Sequence, residues 1–147
     1  MQLIALIMRL NIVGMKELVL VHRAVAPVEK SEGVYTFIIS DESIDSHNTS
    51  FAIDGWDLSY AMRNGVVTYG HPDLSSTDDT LYIGKYTPYI EDRKLKADVE
   101  FNMDNPRAVR IMKSVSGGFI KMASVRAYVE DGEYVEETEH LKFTKHS

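Results

Sequence analysis

Two side chains of this sequence could carry out acyl transfer together. They are Ser124, in the stretch GGFIKMASVRAYV (117–129), and His71, in YGHPD (69–73). A serine hydroxyl is a weak nucleophile until a neighbouring base takes its proton. Histidine suits that role because its ordinary pKa, near 6.5, is poised for proton transfer at neutral pH. His71 follows VVTYG, a short buried-strand pattern, and precedes Pro72, which ends the strand. Rigid backbone would hold such a residue while leaving it open to solvent. Ser124 stands in the middle of a strand pattern. Alternation puts Ile120, Met122, Ser124, Arg126 and Tyr128 on one face, and the small or branched Ala123, Val125, Ala127 and Val129 on the other, which reads as the core face. Arg126 could help to hold an anionic intermediate, or be a solvated surface charge. On the residues alone two readings stay open for each: His71 as base or loop histidine, Ser124 as nucleophile or ordinary strand serine.

Other groupings say less. HPDLSSTDDT (71–80) gathers His71, Asp73, Asp78 and Asp79, but the spacing matches neither a zinc motif nor a calcium loop, so no metal site is expected. His47 lies in a polar loop, and the acidic run EDGEYVEETE (130–139) reads as a solvated hairpin face. The chain has no cysteine. Disulfides, thiolate metal sites and a cysteine nucleophile are thereby excluded, and a reducing compartment is the simple expectation. The sequon NTS (48–50) carries no weight in that setting.

The elements that must position these groups belong to one domain. A chain of 147 residues has room for one core, and 44% hydrophobic with 26% charged residues is ordinary for a globular protein. A net charge of −6 argues against a duplex nucleic-acid partner, which calls for a basic face. The opening MQLIALIMRLNIVGMKELVLV is apolar, but Arg9 interrupts it and no stretch reaches the roughly 18–20 uninterrupted apolar residues of a membrane span. Two readings of residues 1–14 stay open: an extension upstream of a second start at Met15, or part of the fold.

Strand signals dominate. ELVLVHRAVA (17–26) and GVYTFIIS (33–40) are rich in β-branched and aromatic residues. KLKADVEF (94–101) alternates, with Leu95, Ala97, Val99 and Phe101 facing a core, and pairs with LYIGKYTPYI (81–90) through the turn at 91–93. Asp131-Gly132, between two β-like runs, predicts a hairpin turn. One helix is well signed in NPRAVRIMKSVSGG: Asn105 caps, Pro106 takes the first turn, Gly117-Gly118 closes, and Ala108, Ile111, Met112 and Val115 form an apolar stripe. A shorter helix is predicted over 54–65, ending at Gly65. The fold class is mostly β (α+β), more barrel-like than layered, with two helices.

The run SIDSHNTSFAIDGWDLSYAMRNGVVTYGHPD (43–73), then IGKY (83–86), a helix, and SGGFIKMASVRAYV (116–129) resembles the prohead maturation serine proteases of tailed bacteriophages. That family shows a D-R/S-H start, a GWDL…NPVV…H run, a short IGK, and a glycine before a serine strand. The likeness covers roughly residues 33 to 130, and its force lies in the order and spacing of short pieces. It implies an assemblin-like β-barrel flanked by helices, with nucleophile and base on neighbouring strands. His71 would correspond to the catalytic histidine and Ser124, 53 residues on, to the nucleophile. It further implies an endopeptidase that cleaves scaffold, major capsid protein and itself inside the assembling prohead, in the bacterial cytoplasm. Neither metal nor cofactor, and neither nucleic acid nor membrane, would be required. Homodimerisation is expected by analogy with the herpesvirus assemblins.

Two departures from the family pattern stand. Arg126 and Ala127 occupy positions where the family commonly has glycine and an aromatic residue. The family's acid lies in a later L-x-E-[VI]-S strand, to which LKFTKHS (141–147) looks like the lead-in; the expectation is a single protease-like domain over 15–147 lacking its C-terminal strand or strands. Glu139, His140 and His146 are the conceivable substitutes for that acid. The alternative function is a catalytically inactive relative serving as a scaffold or capsid-binding module; a third is an unrelated β-rich binding domain.

Overall fold

The computed structural model describes residues 4–7, 16–21, 26–45, 47–73 and 75–147, the first two segments by their backbone. The helix with the fullest set of local signals, α2 (Pro106–Ser116), forms as predicted: Asn105 Oδ1 accepts from the Arg107 amide at 3.0 Å, and Ala108, Ile111 and Val115 are buried. β8 (Lys94–Phe101) follows its alternation, with Leu95, Ala97, Val99 and Phe101 in the core. It pairs antiparallel with β7 (Tyr82–Glu91) around a two-residue turn at Asp92-Arg93, both with positive φ. β4 (Val34–Ser40) covers the other edge of β8, and β3 (Val28–Ser31) covers β4. β6 (Val66–Tyr69) adds to β7.

A second group of strands is built on β9 (Ala123–Val135). β2 (Lys16–Val21) lies along one edge of its first half, opposite residues 124–129. β10 (His140–His146) pairs antiparallel with the far half, and β5 (Thr49–Phe51) pairs with β10. Between the groups runs β1 (Ile4–Ile7), antiparallel to β6 and parallel to β9. The hydrogen-bonded order is β3-β4-β8-β7-β6-β1-β9-β10-β5, with β2 on the other side of β9. Its end strands β3 and β5 do not pair with each other, so the described strands form no closed barrel and the barrel expectation is not met. The mostly-β, α+β class holds. The core gathers Phe37, Ile39, Ile83, Leu95, Val67, Val99 and Val125, drawn from both groups.

Two local predictions need correction. The Asp131-Gly132 pair makes no turn: β9 runs straight through it, and the turn falls at 136–139, with Glu139 at φ +50. Gly132 serves close approach instead, since a Cβ there would stand 3.0 Å from both the Lys142 carbonyl oxygen and the Phe143 ring. The predicted helix over 54–65 is divided. A 3₁₀ turn at Ile53–Gly55 is followed by Trp56, which bridges to His146, and only Ser59–Asn64 is α-helical (α1). Of the predicted strand 17–26, residues 22–25 lie outside the described residues, as do 1–3 and 8–14 of the opening segment. Among the described residues no helix is long and apolar enough to cross a membrane.

Candidate active site

His71 is aimed by the end of β6. The buried Thr68 donates its hydroxyl to the carbonyl of Gly70 at 3.0 Å, and Gly70 adopts φ +74, turning the chain sharply before His71. A Cβ on Gly70 would meet nothing within 4 Å, so glycine is favoured there for its left-handed backbone and not for lack of space. The loop that follows is tied down at its far end. Asn105 donates from Nδ2 to the carbonyls of Thr80 (3.0 Å) and Tyr82 (3.1 Å) while capping α2 with its oxygen, so one side chain locks loop, strand and helix together.

Ser124 is the second residue of β9, flanked by Ala5 of β1 and Val21 of β2. Its core-facing neighbours Ala123, Val125 and Ala127 are buried as predicted, and Arg126 is half-buried. Ser124 itself is 0% exposed, deeper than its place on the Arg126 face suggested. Thr68, Ala5 and Ser124 stand directly opposite one another across three strands. His71, three residues beyond Thr68, folds back over this row, and its Nε2 lies 2.9 Å from the Ser124 Oγ. With Nε2 unprotonated, the serine hydroxyl donates to it, the arrangement in which an imidazole takes up the proton of an attacking hydroxyl.

The other sequence candidates take separate places. His47 is exposed in a turn organised by the Asp45 carboxylate, which accepts from the amides of His47 and Thr49, both at 2.9 Å. Asp78 caps a 3₁₀ turn by accepting from the Thr80 amide and hydroxyl, and the Thr80 hydroxyl above all, with a smaller contribution from Arg107, holds its carboxyl below the usual carboxylate range. Asp73 accepts from the Ser75 amide. No three metal-ligating side chains come together among the described residues.

Of the residues considered as a third catalytic group, His140 is buried with Nε2 on Ser50 Oγ (2.8 Å) and Nδ1 on Thr138 Oγ1 (2.6 Å). His146 packs edge-on against Trp56, at 4.2 Å between ring centroids, and Phe51, at 5.2 Å, where burial pushes its pKa down to about 4. Glu139 is exposed in the β9–β10 turn, its carbonyl accepting from the Asn48 side chain. None of these partners is His71. The residues that sequence reasoning overlooked are Thr68, Gly70 and the loop-anchoring face of Asn105. Only the Thr-x-Gly-His order hinted at the first two, and nothing local reveals that Asn105 reaches back 23 and 25 residues.

The fold is similar to that of a phage capsid protease. A solved structure that matches is the bacteriophage T4 capsid assembly protease gp21, with a TM-score of 0.55 and 8% sequence identity, covering 89% of this chain and 91% of that one. At that identity the likeness concerns the fold. No family model and no curated protein matches the chain.

Proposed function

We propose that this chain is a serine endopeptidase of phage capsid maturation, with Ser124 as nucleophile and His71 as general base. The observation that carries the reading is the 2.9 Å contact between His71 Nε2 and Ser124 Oγ, made by residues 53 apart in sequence. The fold shared with a capsid assembly protease supports it. In the reaction Ser124 Oγ attacks the scissile carbonyl carbon as His71 Nε2 takes the hydroxyl proton. His71 then gives that proton to the departing amine, and water, activated by the same imidazole, hydrolyses the acyl-enzyme. Backbone amides near the serine would hold the oxyanion. The substrates are scaffold polypeptide and major capsid protein, together with the protease itself, cut within the assembling prohead in the bacterial cytoplasm. An assemblin-like barrel and a homodimer belong to the same proposal, by analogy of fold alone.

A second reading is favoured by one observation: Ser124 has no exposed surface, so no peptide carbonyl reaches it without movement. On that reading the chain is an inactive relative that binds scaffold or shell. Fluorophosphonate labelling read by peptide mass spectrometry separates the two. The protease reading predicts an adduct on Ser124 that disappears in His71→Ala. A native chain that takes no label, with or without capsid protein present, would favour the inactive relative.

A further inference from the structure

β1 is the strand that joins the two halves of the sheet. β6, which aims His71, and β9, which carries Ser124, form no ladder with each other; each pairs with Ile4–Ile7, where Ala5 lies opposite both Thr68 and Ser124. Strands spaced about 4.8 Å apart put β6 and β9 roughly 10 Å from one another across β1. The His71–Ser124 hydrogen bond crosses that seam. Its length therefore depends on a strand that contributes neither residue.

The seam has a defined register. Val129 lies opposite both Lys16 and His146, and Ser124 opposite both Val21 and Ala5, so β1 and β10 share one side of β9 and β2 holds the other. On the shared side β10 runs down to Ser147, which exchanges backbone hydrogen bonds with Tyr128, while β1 runs up to Ile7 opposite Arg126. Only Ala127 separates the two strand ends, so the slot for β1 is four residues long and closed at one end by β10. The segment IALI is uninterruptedly apolar.

We infer that Ile4–Ile7 is a positioning strand for the catalytic pair, that it acts through its backbone, and that an extended peptide of the same sequence supplied separately can fill the slot. This rests on the reading of His71 and Ser124 as nucleophile and base. Its consequence for β6 and β9 does not, and two readouts keep them apart. The samples are the full chain, a form starting at Met15, that form with a peptide of residues 1–10, and that form with the same peptide carrying Ala5→Pro, which cannot donate in a central strand. Hydrogen exchange reports the β6 and β9 amides, and fluorophosphonate labelling reports Ser124.

The Met15 form is expected to keep protection in β7 and β8, to lose it at the slot-facing amides of β6 and β9, and to label about a hundredfold more slowly, the usual effect of a misplacement near 1 Å. The native peptide restores both properties, and the proline peptide restores neither. Equal protection and equal labelling without residues 1–14 would overturn the inference, as would failure of the native peptide to restore protection. If the shortened form loses protection in β7 and β8 as well, the full chain with Ala5→Pro replaces it, under the same expectations. Restored protection with no labelling in any sample, the full chain included, upholds the positioning strand and counts against the protease reading.

Discussion

The Thr68 hydroxyl donates to the carbonyl of Gly70 at 3.0 Å, one residue before the histidine that reaches Ser124. This short turn converts the end of a strand into an arm that folds back over the sheet. Because Gly70 sits at φ +74 with open space around it, Gly70→Ala pays only for backbone conformation, about 1–2 kcal/mol. Asparagine tolerates this region better, so Gly70→Asn should lie between glycine and alanine in urea denaturation. Labelling of Ser124 should fall in the same order.

Ser124 and His71 are proposed to act as one unit, and their effects should then not add. Ser124→Ala and His71→Ala should each abolish most of the cleavage of a capsid-protein peptide, and the double variant should be no worse than Ser124→Ala alone. Additive losses in kcat/KM would mean that the two residues act independently.

The Asn105 side chain makes three hydrogen bonds, two donated and one accepted. Asn105→Ala removes the helix cap and leaves the carbonyls of Thr80 and Tyr82 without that donor, which should cost about 2–4 kcal/mol. Asn105→Asp keeps the cap oxygen but turns a charged acceptor toward two carbonyls. It should be no more stable than Asn105→Ala near neutral pH and should recover as the carboxyl is protonated. Thermal unfolding across pH checks both.

The buried His146 makes stability depend on pH in a particular window. Its pKa is pushed down to about 4, chiefly by burial, with a weaker opposing pull from the Ala52 backbone. The unfolded chain takes up a proton near the ordinary value of 6.5, which the folded chain refuses until about pH 4. Between these values the unfolded state holds more protons, so stability falls as pH falls from 6.5 to 4 and is fully present above 6.5. The whole step amounts to about 3 kcal/mol. His146→Phe should flatten this window in urea titrations. It should leave the further loss in stronger acid, where Glu42, Asp57, Asp78 and Asp98, all held below their ordinary values, become protonated.

What was legible in the sequence was local. Asn105, Pro106 and the stripe through Ala108, Ile111 and Val115 specify α2 within a dozen residues, and the alternation of β8 names its core face directly. What was not legible depended on partners far along the chain. Asp131-Gly132 carries a strong turn signal, but the glycine is needed where β10 comes close, and that is invisible without β10. Trp56 interrupts a helical pattern because it bridges to His146, 90 residues later. The pairing of His71 with Ser124 was read from a resemblance. The turn at Gly70 and the row Thr68–Ala5–Ser124 that bring them together emerge only from strand order.

That row also bears on when the site can come into being. Ala5 and Ser124 are 119 positions apart, and a contact of such separation is made only after the entropy of closing a long loop has been met by other interactions. The β7–β8 hairpin, closed by two residues, has only a short loop to close and can form early. In pulse-labelled refolding its amides should be protected first and those around Ser124 among the last. On the proposed reading, a chain that consolidates the surroundings of Ser124 at the end of folding would spare its own unfinished copies.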